Sequence, residues 1–160
     1  MIVLDILGIL ALIALVVIII KINKKPDYIS LKESLDLTDL PIITFYQKDL
    51  KLNFILDTGS THNVIDRNVK DVIVSPIENT AVEISGLDGN RQTAPNVSIK
   101  LEYKNKLYED EFCVFDMSEA FKKIKDGNGA TIHGLIGNSF MQKYKYVLDF
   151  DEMVAYSKHK

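Results

Sequence analysis

The chain has 160 residues, 47% apolar and 26% charged, which is typical of one folded domain with room for a smaller element and excludes general disorder. Its net charge of −3 is uneven, because residues 1–25 carry +2 and leave −5 for the remainder. Because an acidic domain binds phosphate backbones poorly, we expect no nucleic-acid partner. The single cysteine, Cys113, excludes an intrachain disulfide and is expected to be a small core residue.

The first segment of the chain is strongly apolar. From Ile6 to Ile20 every residue is apolar or glycine, close to the roughly 20 residues that span a bilayer. The positive charges follow this run, whereas a secretory signal carries them before it. They are Lys21, Lys24 and Lys25. We therefore predict a single-pass transmembrane helix with a basic flank over residues 1–25, inserted through residues 1–20. The C-terminal domain would then lie in the cytoplasm. Since Asp5 weakens the span, a buried core helix or a cleaved export signal is the alternative.

Residues 26–40 mix charged and apolar residues without a sustained period and are predicted to be a linker with at most one helical turn. The folded domain is expected over residues 41–160. It begins with two strands, 41–46 and 50–56, separated by a short turn that favours a hairpin. The second strand leads directly into Asp57.

Short apolar or alternating segments predict further strands along the rest of the chain. They are residues 61–65, 71–74, 81–84, 97–103, 108–115, 144–150 and 153–156. Residues 85–91 contain two glycines and an Asp-Gly pair, which is typical of a hairpin tip. One short helix, 119–125, is expected to begin at Ser118 and to be ended by Gly127 and Gly129. Many short strands with one helix predict an all-β, barrel-like domain. The aromatic residues of the last strands are expected in its core, namely Phe140, Tyr144, Tyr146 and Phe150.

The segment Asp57-Thr58-Gly59-Ser60 is the candidate catalytic site. A carboxylate placed at the end of a buried strand faces a cleft, Thr58 can stabilise the turn, and Gly59 allows another backbone to approach closely. An Asp-Thr-Gly triplet alone occurs by chance in roughly a few per cent of chains of this length. The order of the surrounding parts therefore has to support the assignment.

That order resembles the retropepsin-like aspartic proteases over about residues 41–157. The matching parts are a hairpin into Asp57-Thr58-Gly59-Ser60, a glycine-tipped flap, a second hairpin, then Leu135-Ile136-Gly137 and closing strands. The resemblance implies a closed β-barrel with a flap hairpin, catalysis by Asp57 and a protein or peptide substrate, without metal or cofactor. The flap residues expected to contact substrate are Gly86, Leu87, Asp88 and Gly89. Leu135, Ile136 and Gly137 are expected to pack beneath the site.

In that family two Asp-Thr-Gly copies meet across a two-fold axis, but this chain has one copy. The other candidate acids, Asp66, Asp149 and Asp151, are not followed by Thr-Gly. The resemblance therefore implies a homodimer in which each subunit contributes Asp57, and a membrane anchor would raise the effective concentration of monomers. Thr58 is expected to hydrogen-bond across the axis. The substrate and the mode of dimer closure are not encoded in any recognisable pattern.

Two departures from the family pattern carry expectations of their own. Asn138 follows Gly137 where retroviral members usually have arginine, so their dimer-stabilising arginine network is expected to be missing. Ser60 stands where many of them have alanine, and a hydroxyl donating to the carboxylate would shift the working pH downward.

Other functions remain as alternatives. The principal one is a catalytically inactive module of the same fold that holds an extended peptide by strand addition. Phosphoryl transfer through an aspartyl phosphate is disfavoured, because no residue separates Asp57 from Thr58 and no lysine follows. The histidines have no metal-ligand spacing with one another or with Cys113, so no metal site is expected.

Overall fold

The computed structural model describes residues 10, 12–19, 28–70, 72–73, 77–85 and 91–158. Residues 12–19 form helix α1, and their apolar side chains are exposed. Within these described ranges, none of the helices combines the length and apolar character needed to cross a bilayer. Most of the predicted membrane segment, 1–25, lies outside the described residues.

The described part of the chain is mostly β. Its strands are β1 (Ile29–Ser30), β2 (Ile42–Gln47), β3 (Leu50–Leu56), β4 (Asn63–Asp66), β5 (Ile77–Ser85), β6 (Arg91–Tyr103), β7 (Lys106–Phe115), β8 (Gly134–Ile136), β9 (Tyr146–Asp149) and β10 (Val154–Ser157). Its further helices are α2 (Lys32–Thr38), α3 (Arg67–Lys70), α4 (Ser118–Asn128) and α5 (Asn138–Lys143).

A seven-stranded sheet in the order β2-β3-β8-β4-β7-β6-β5 forms the body of the domain. It curls round on itself, because β2 also pairs with β6 through Tyr46 and Glu102. A smaller sheet contains β1, β10 and β9. The predicted barrel is therefore present in part, since one residue pair joins β2 to β6 and β5 stays outside the ring.

The inside of the curled sheet is filled with aromatic side chains. Phe45, Phe54, Phe112 and Phe140 are fully buried, and the Phe45 ring lies edge-on to Phe54 and Phe140 at centroid distances of 6.0 and 5.7 Å. Such pairs contribute about 0.5–1.5 kcal/mol beyond the burial of their area. Phe150, also predicted to lie in the core, is 59% exposed, because it occupies the turn after β9.

Cys113 lies in β7 and is buried, as predicted. Burial also raises the pKa of its thiol, since the thiolate would lose its hydration there. Cys113 is therefore a packing residue with little tendency to ionise.

The segment predicted to be a linker packs onto the end of the domain over its described residues. Ile29 in β1 pairs with Ala155 in β10, and the fully buried Leu31 donates its N–H to the Met153 carbonyl at 2.8 Å. Helix α2 follows at once. Because the partner strand lies far along the chain, no local pattern could reveal this pairing.

The prediction of one short helix in the domain is wrong, because the described residues contain α2, α3 and α5 besides α4. Helix α4 is longer than predicted, because Gly127 lies inside it and Gly129, at φ 79°, forms its left-handed C-cap. The sequence did not predict α3 or α5, which are too short to show a clear helical period. Of the predicted strand 71–74, Val72 and Ile73 lie in a turn and the rest lies outside the described residues.

Candidate active site

Asp57 follows β3, whose inward side chains Leu52, Phe54 and Leu56 are buried. The Asp57 N–H donates to the Ile136 carbonyl at 2.9 Å, so the end of β3 is fixed to β8. Its carboxylate Oδ1 accepts the Gly59 N–H at 2.9 Å, and the side chain remains partly exposed. The carboxylate is thus oriented by its own loop while staying accessible.

The position of β8 explains why residues 57–62, which we call the Asp57 loop, are constrained. Strand β8 lies between β3, to which it is parallel, and β4, to which it is antiparallel. The loop that joins β3 to β4 must therefore pass around the end of β8. The residue that leaves β8, Gly137, lies directly against this loop.

Gly137 has no room for a side chain. A Cβ atom there would lie 2.4 Å from the His62 carbonyl oxygen and 3.0 Å from that of Ser60. The Gly137 N–H donates to Asn63 Oδ1 at 2.9 Å, and Asn63 Nδ2 donates to the Glu111 carbonyl at 2.9 Å. Asn63 is 1% exposed, and it stabilises the contact between β8 and the loop. Sequence reasoning missed this role, although a polar residue next to the apolar Val64 was the available signal.

Asn138 attaches the start of α5 to the same loop. Its N–H donates to the Ser60 carbonyl at 2.8 Å, and its side-chain Nδ2 donates to the Thr58 carbonyl at 2.6 Å. The Ser139 N–H donates to the Thr61 carbonyl at 3.1 Å. The Asn138 side chain therefore supports the Asp57 loop within its own chain.

Ser60 has a different partner from the one expected. Its Oγ donates to the His62 carbonyl at 2.7 Å rather than to the Asp57 carboxylate. The expectation of a serine-dependent downward shift in working pH is therefore wrong for this geometry. The hydroxyl instead closes the loop beside Gly137.

The other predicted site residues divide into two groups. Ile136 is fully buried and Leu135 half-buried on β8, while the Thr58 side chain is exposed. Its predicted bond across a two-fold axis stays a prediction. The flap residues Gly86, Leu87, Asp88 and Gly89 lie outside the described residues. The strands on either side of them, β5 and β6, pair from Ser85 and Arg91 onward, which confirms the predicted hairpin.

Asp66, at the end of β4, is 4% exposed, and its carboxylate has structural partners. It accepts the Asn68 N–H at 2.8 Å and the Met117 N–H at 2.9 Å, which join α3 and the start of α4 to β4. Within the described residues, no three His, Cys, Asp or Glu side chains are grouped so as to hold a metal ion.

Comparison with known proteins defines the class to which this fold and loop belong. A family model described as aspartyl protease matches residues 43–140, so the chain belongs to the aspartyl protease family. Among solved structures, the chain is similar to the EIAV protease complexed with the inhibitor HBY-793. The two share 18% identity with a TM-score of 0.47, over 69% of this chain and 93% of that one. No curated protein sequence gives a significant match.

Proposed function

We propose that the chain is a retropepsin-like aspartic endopeptidase that hydrolyses peptide bonds as a homodimer, with one Asp57 from each subunit. The observation that carries this proposal is the partly exposed Asp57 carboxylate, oriented by the Gly59 N–H at the end of a buried strand. The family membership and the single Asp-Thr-Gly sequence support it. A complete pair of carboxylates requires a second copy of the chain.

The chemistry follows from bringing the two carboxylates together. Two such groups a few ångströms apart cannot both ionise without a large cost, so one of them holds a proton. The ionised Asp57 accepts a proton from a bound water, which attacks the scissile carbonyl carbon. The protonated Asp57 of the other subunit donates to the carbonyl oxygen as negative charge develops there. The tetrahedral gem-diol then collapses: one of its hydroxyls returns a proton to the carboxylate of the other subunit, the first Asp57 gives its proton to the amide nitrogen, and the C–N bond breaks. These steps use the side chains of the chain itself and water.

The test is cleavage of a peptide library by the full chain and by Asp57→Asn. The amide cannot accept the proton from water, so we expect cleavage to fall to background. A mixing experiment then tests the dimer. In an equal mixture at fixed total chain concentration, about one quarter of randomly paired dimers are fully wild type. The cleavage rate of a dimeric enzyme should therefore fall to about one quarter of the wild-type rate, whereas independent monomers would retain about half of it. Unchanged cleavage by Asp57→Asn would eliminate the proposal, and peptide binding without wild-type cleavage would favour an inactive binding module.

We further propose that residues 1–20 anchor the domain in a bilayer, with the C-terminal domain on the cytoplasmic side. The support is the apolar run from Ile6 to Ile20, together with the exposed apolar side chains of α1. The full chain should resist alkaline carbonate extraction and be protected from protease added to intact cells. Leu12 lies near the middle of this segment. Leu12→Arg costs about 2.5–3.5 kcal/mol at the centre of a span and should release the protein, whereas Leu12→Ile should not. Equal extraction of both variants would refute the anchor.

A further inference from the structure

One peptide group beside Asp57 is hydrogen-bonded at both of its ends. The Thr58 carbonyl oxygen accepts the Asn138 side-chain Nδ2 at 2.6 Å. The Gly59 N–H donates to Asp57 Oδ1 at 2.9 Å. This carbonyl and this N–H are the two polar groups of a single peptide unit, which resonance keeps planar. A donor that holds the carbonyl oxygen therefore also sets the direction of the N–H, and with it the bond to the carboxylate.

Asn138 brings this donor from the central sheet. It is the first residue of α5 and follows directly after β8, which pairs with β3 on one side and β4 on the other. Its own N–H donates to the Ser60 carbonyl at 2.8 Å, and α5 is anchored in the core by the fully buried Phe140. The half-buried Asn138 side chain therefore links the Thr58 carbonyl to a fixed part of the fold.

The Asp57 carboxylate lies against the Gly59 end of the same peptide group. A Cβ atom added at Gly59 would be 3.2 Å from Asp57 Oδ1. Donation to a carbonyl polarises the peptide group and strengthens donation by its N–H, by about 10–30% per bond in condensed phases. Hydrogen bonds to an ionised acceptor are about twice as strong as neutral ones. The Asn138 amide therefore acts on how firmly the carboxylate is held as well as on its direction.

We propose that Asn138 is a positioning residue that orients the Asp57 carboxylate through the Thr58–Gly59 peptide group, an inference that rests on the proposed peptidase function. With Oδ1 held by the Gly59 N–H, rotation of the carboxylate is restricted before water binds. A group already in its productive orientation need not be reordered as the transition state forms. Without the Asn138 amide, the peptide plane can turn about the bonds on either side of it, and the carboxylate can follow.

The kinetic test measures kcat and KM of peptide cleavage for the full chain, Asn138→Ala and Asn138→Asp. Alanine removes the donor, whereas aspartate keeps the size of the side chain but, when ionised, can only accept hydrogen bonds. We expect kcat to fall about 10–100-fold in both variants, because a displacement of about 1 Å can cost about 100-fold in rate. KM should change less than about threefold, since the lost interaction acts on the reacting group and not on substrate binding.

Asn53→Ala is the matched control. Asn53 lies in β3, and its side-chain Nδ2 also donates to a backbone carbonyl, that of Thr131, at 2.9 Å. Its Oδ1 accepts the Thr44 hydroxyl at 2.8 Å, so alanine removes two hydrogen bonds here. This variant should be destabilised at least as much as Asn138→Ala and should keep the wild-type kcat.

Chain concentration separates positioning from dimer formation. The loss of kcat in Asn138→Ala should be the same at every concentration at which the wild-type rate per chain has reached its plateau. A loss that disappears as the chain concentration rises further would assign Asn138 to dimer formation and overturn the proposal.

The amide proton of Gly59 gives a readout that does not depend on cleavage. Stronger hydrogen bonding moves an amide proton to higher frequency in an NMR spectrum. The Gly59 resonance should therefore move to lower frequency in Asn138→Ala, and further in Asp57→Asn, which removes the charged acceptor. Asn53→Ala should leave this resonance in place.

Wild-type kcat in both Asn138 variants would overturn the proposal, as would a rise in KM alone or an equal fall of kcat in Asn53→Ala. A full chain that cleaves peptides, but whose Gly59 resonance does not respond to Asn138→Ala, would overturn the positioning role and leave the peptidase function in place. A full chain that cleaves nothing, but whose Gly59 resonance moves as expected, would overturn the peptidase function and support the link from Asn138 to Asp57.

Discussion

Replacing Gly137 by alanine tests whether β8 holds the Asp57 loop in place. The added Cβ would lie 2.4 Å from the His62 carbonyl oxygen, about 1 Å inside the 3.4 Å at which ordinary contact begins. The obstructing atoms belong to the backbone, and the His62 carbonyl also accepts the Ser60 hydroxyl. The loop must therefore move, because no side chain can rotate away.

Overpacking of this kind typically costs about 1–3 kcal/mol of the free energy of unfolding. For a domain of about this size, each kcal/mol lowers the melting temperature by about 2–4 °C, so we expect a fall of about 2–12 °C. Displacing a catalytic group by about 1 Å can reduce the rate about 100-fold. Thermal unfolding and peptide cleavage by Gly137→Ala would measure the two effects separately.

Gly127→Ala is the matched control for this substitution. Gly127 lies inside α4, and a Cβ there would meet nothing within 4 Å. Alanine should therefore stabilise the helix by about 0.5–1 kcal/mol and leave cleavage unchanged. Wild-type stability and activity in Gly137→Ala would refute the close contact and, with it, the proposed support of the loop by β8.

Three further predictions concern the surroundings of the loop. Ser60→Ala removes the hydroxyl that donates to the His62 carbonyl, so the free energy of unfolding should fall by about 0.5–1.5 kcal/mol. The pH profile of cleavage should not move, and a displaced acid limb would contradict this geometry. Asn63→Leu leaves the Gly137 N–H and the Glu111 carbonyl without this partner, so the free energy of unfolding measured in urea should fall by about 2–6 kcal/mol. A fall of less than about 1 kcal/mol would show that these two groups find other partners. Burial lowers the pKa of His133, whose Nδ1 accepts the Asn53 N–H at 2.9 Å. The unfolded chain therefore binds this proton more tightly, and stability should be lost as pH falls below about 6.5. His133→Gln should reduce that loss in pH-dependent unfolding, and an unchanged slope would assign it to other groups.

Local patterns were sufficient for the elements nearest Asp57. The alternation of apolar residues predicted β2 and β3, and the apolar run of β3 placed Asp57 at a strand end, where the structure also has it. The hairpin of β5 and β6 was likewise predicted from its period and turn residues. Such features depend on neighbours within a few positions, so the sequence displays them directly.

The supporting contacts could not be predicted in this way. Asn63 and Asn138 are ordinary polar residues until the chain brings residues 57–63 and 136–139 together. Asn96 and Asp110 line one cleft because β6 and β7 lie side by side in the sheet. No period or motif distinguishes a buried asparagine that orders a loop from one that packs a turn.

The sequence by itself determined the class of protein and the position of Asp57 at the end of a strand. It also predicted a second copy of the chain, because the Asp-Thr-Gly motif occurs once. Tertiary structure decided how that acid is held, since β8 enters between β3 and β4 from far along the chain. It also decided that Asn63 and Asn138 hold the loop, since their partners lie far along the chain. Hydrogen bonding and steric fit depend on distances in space, which the order of residues alone does not specify.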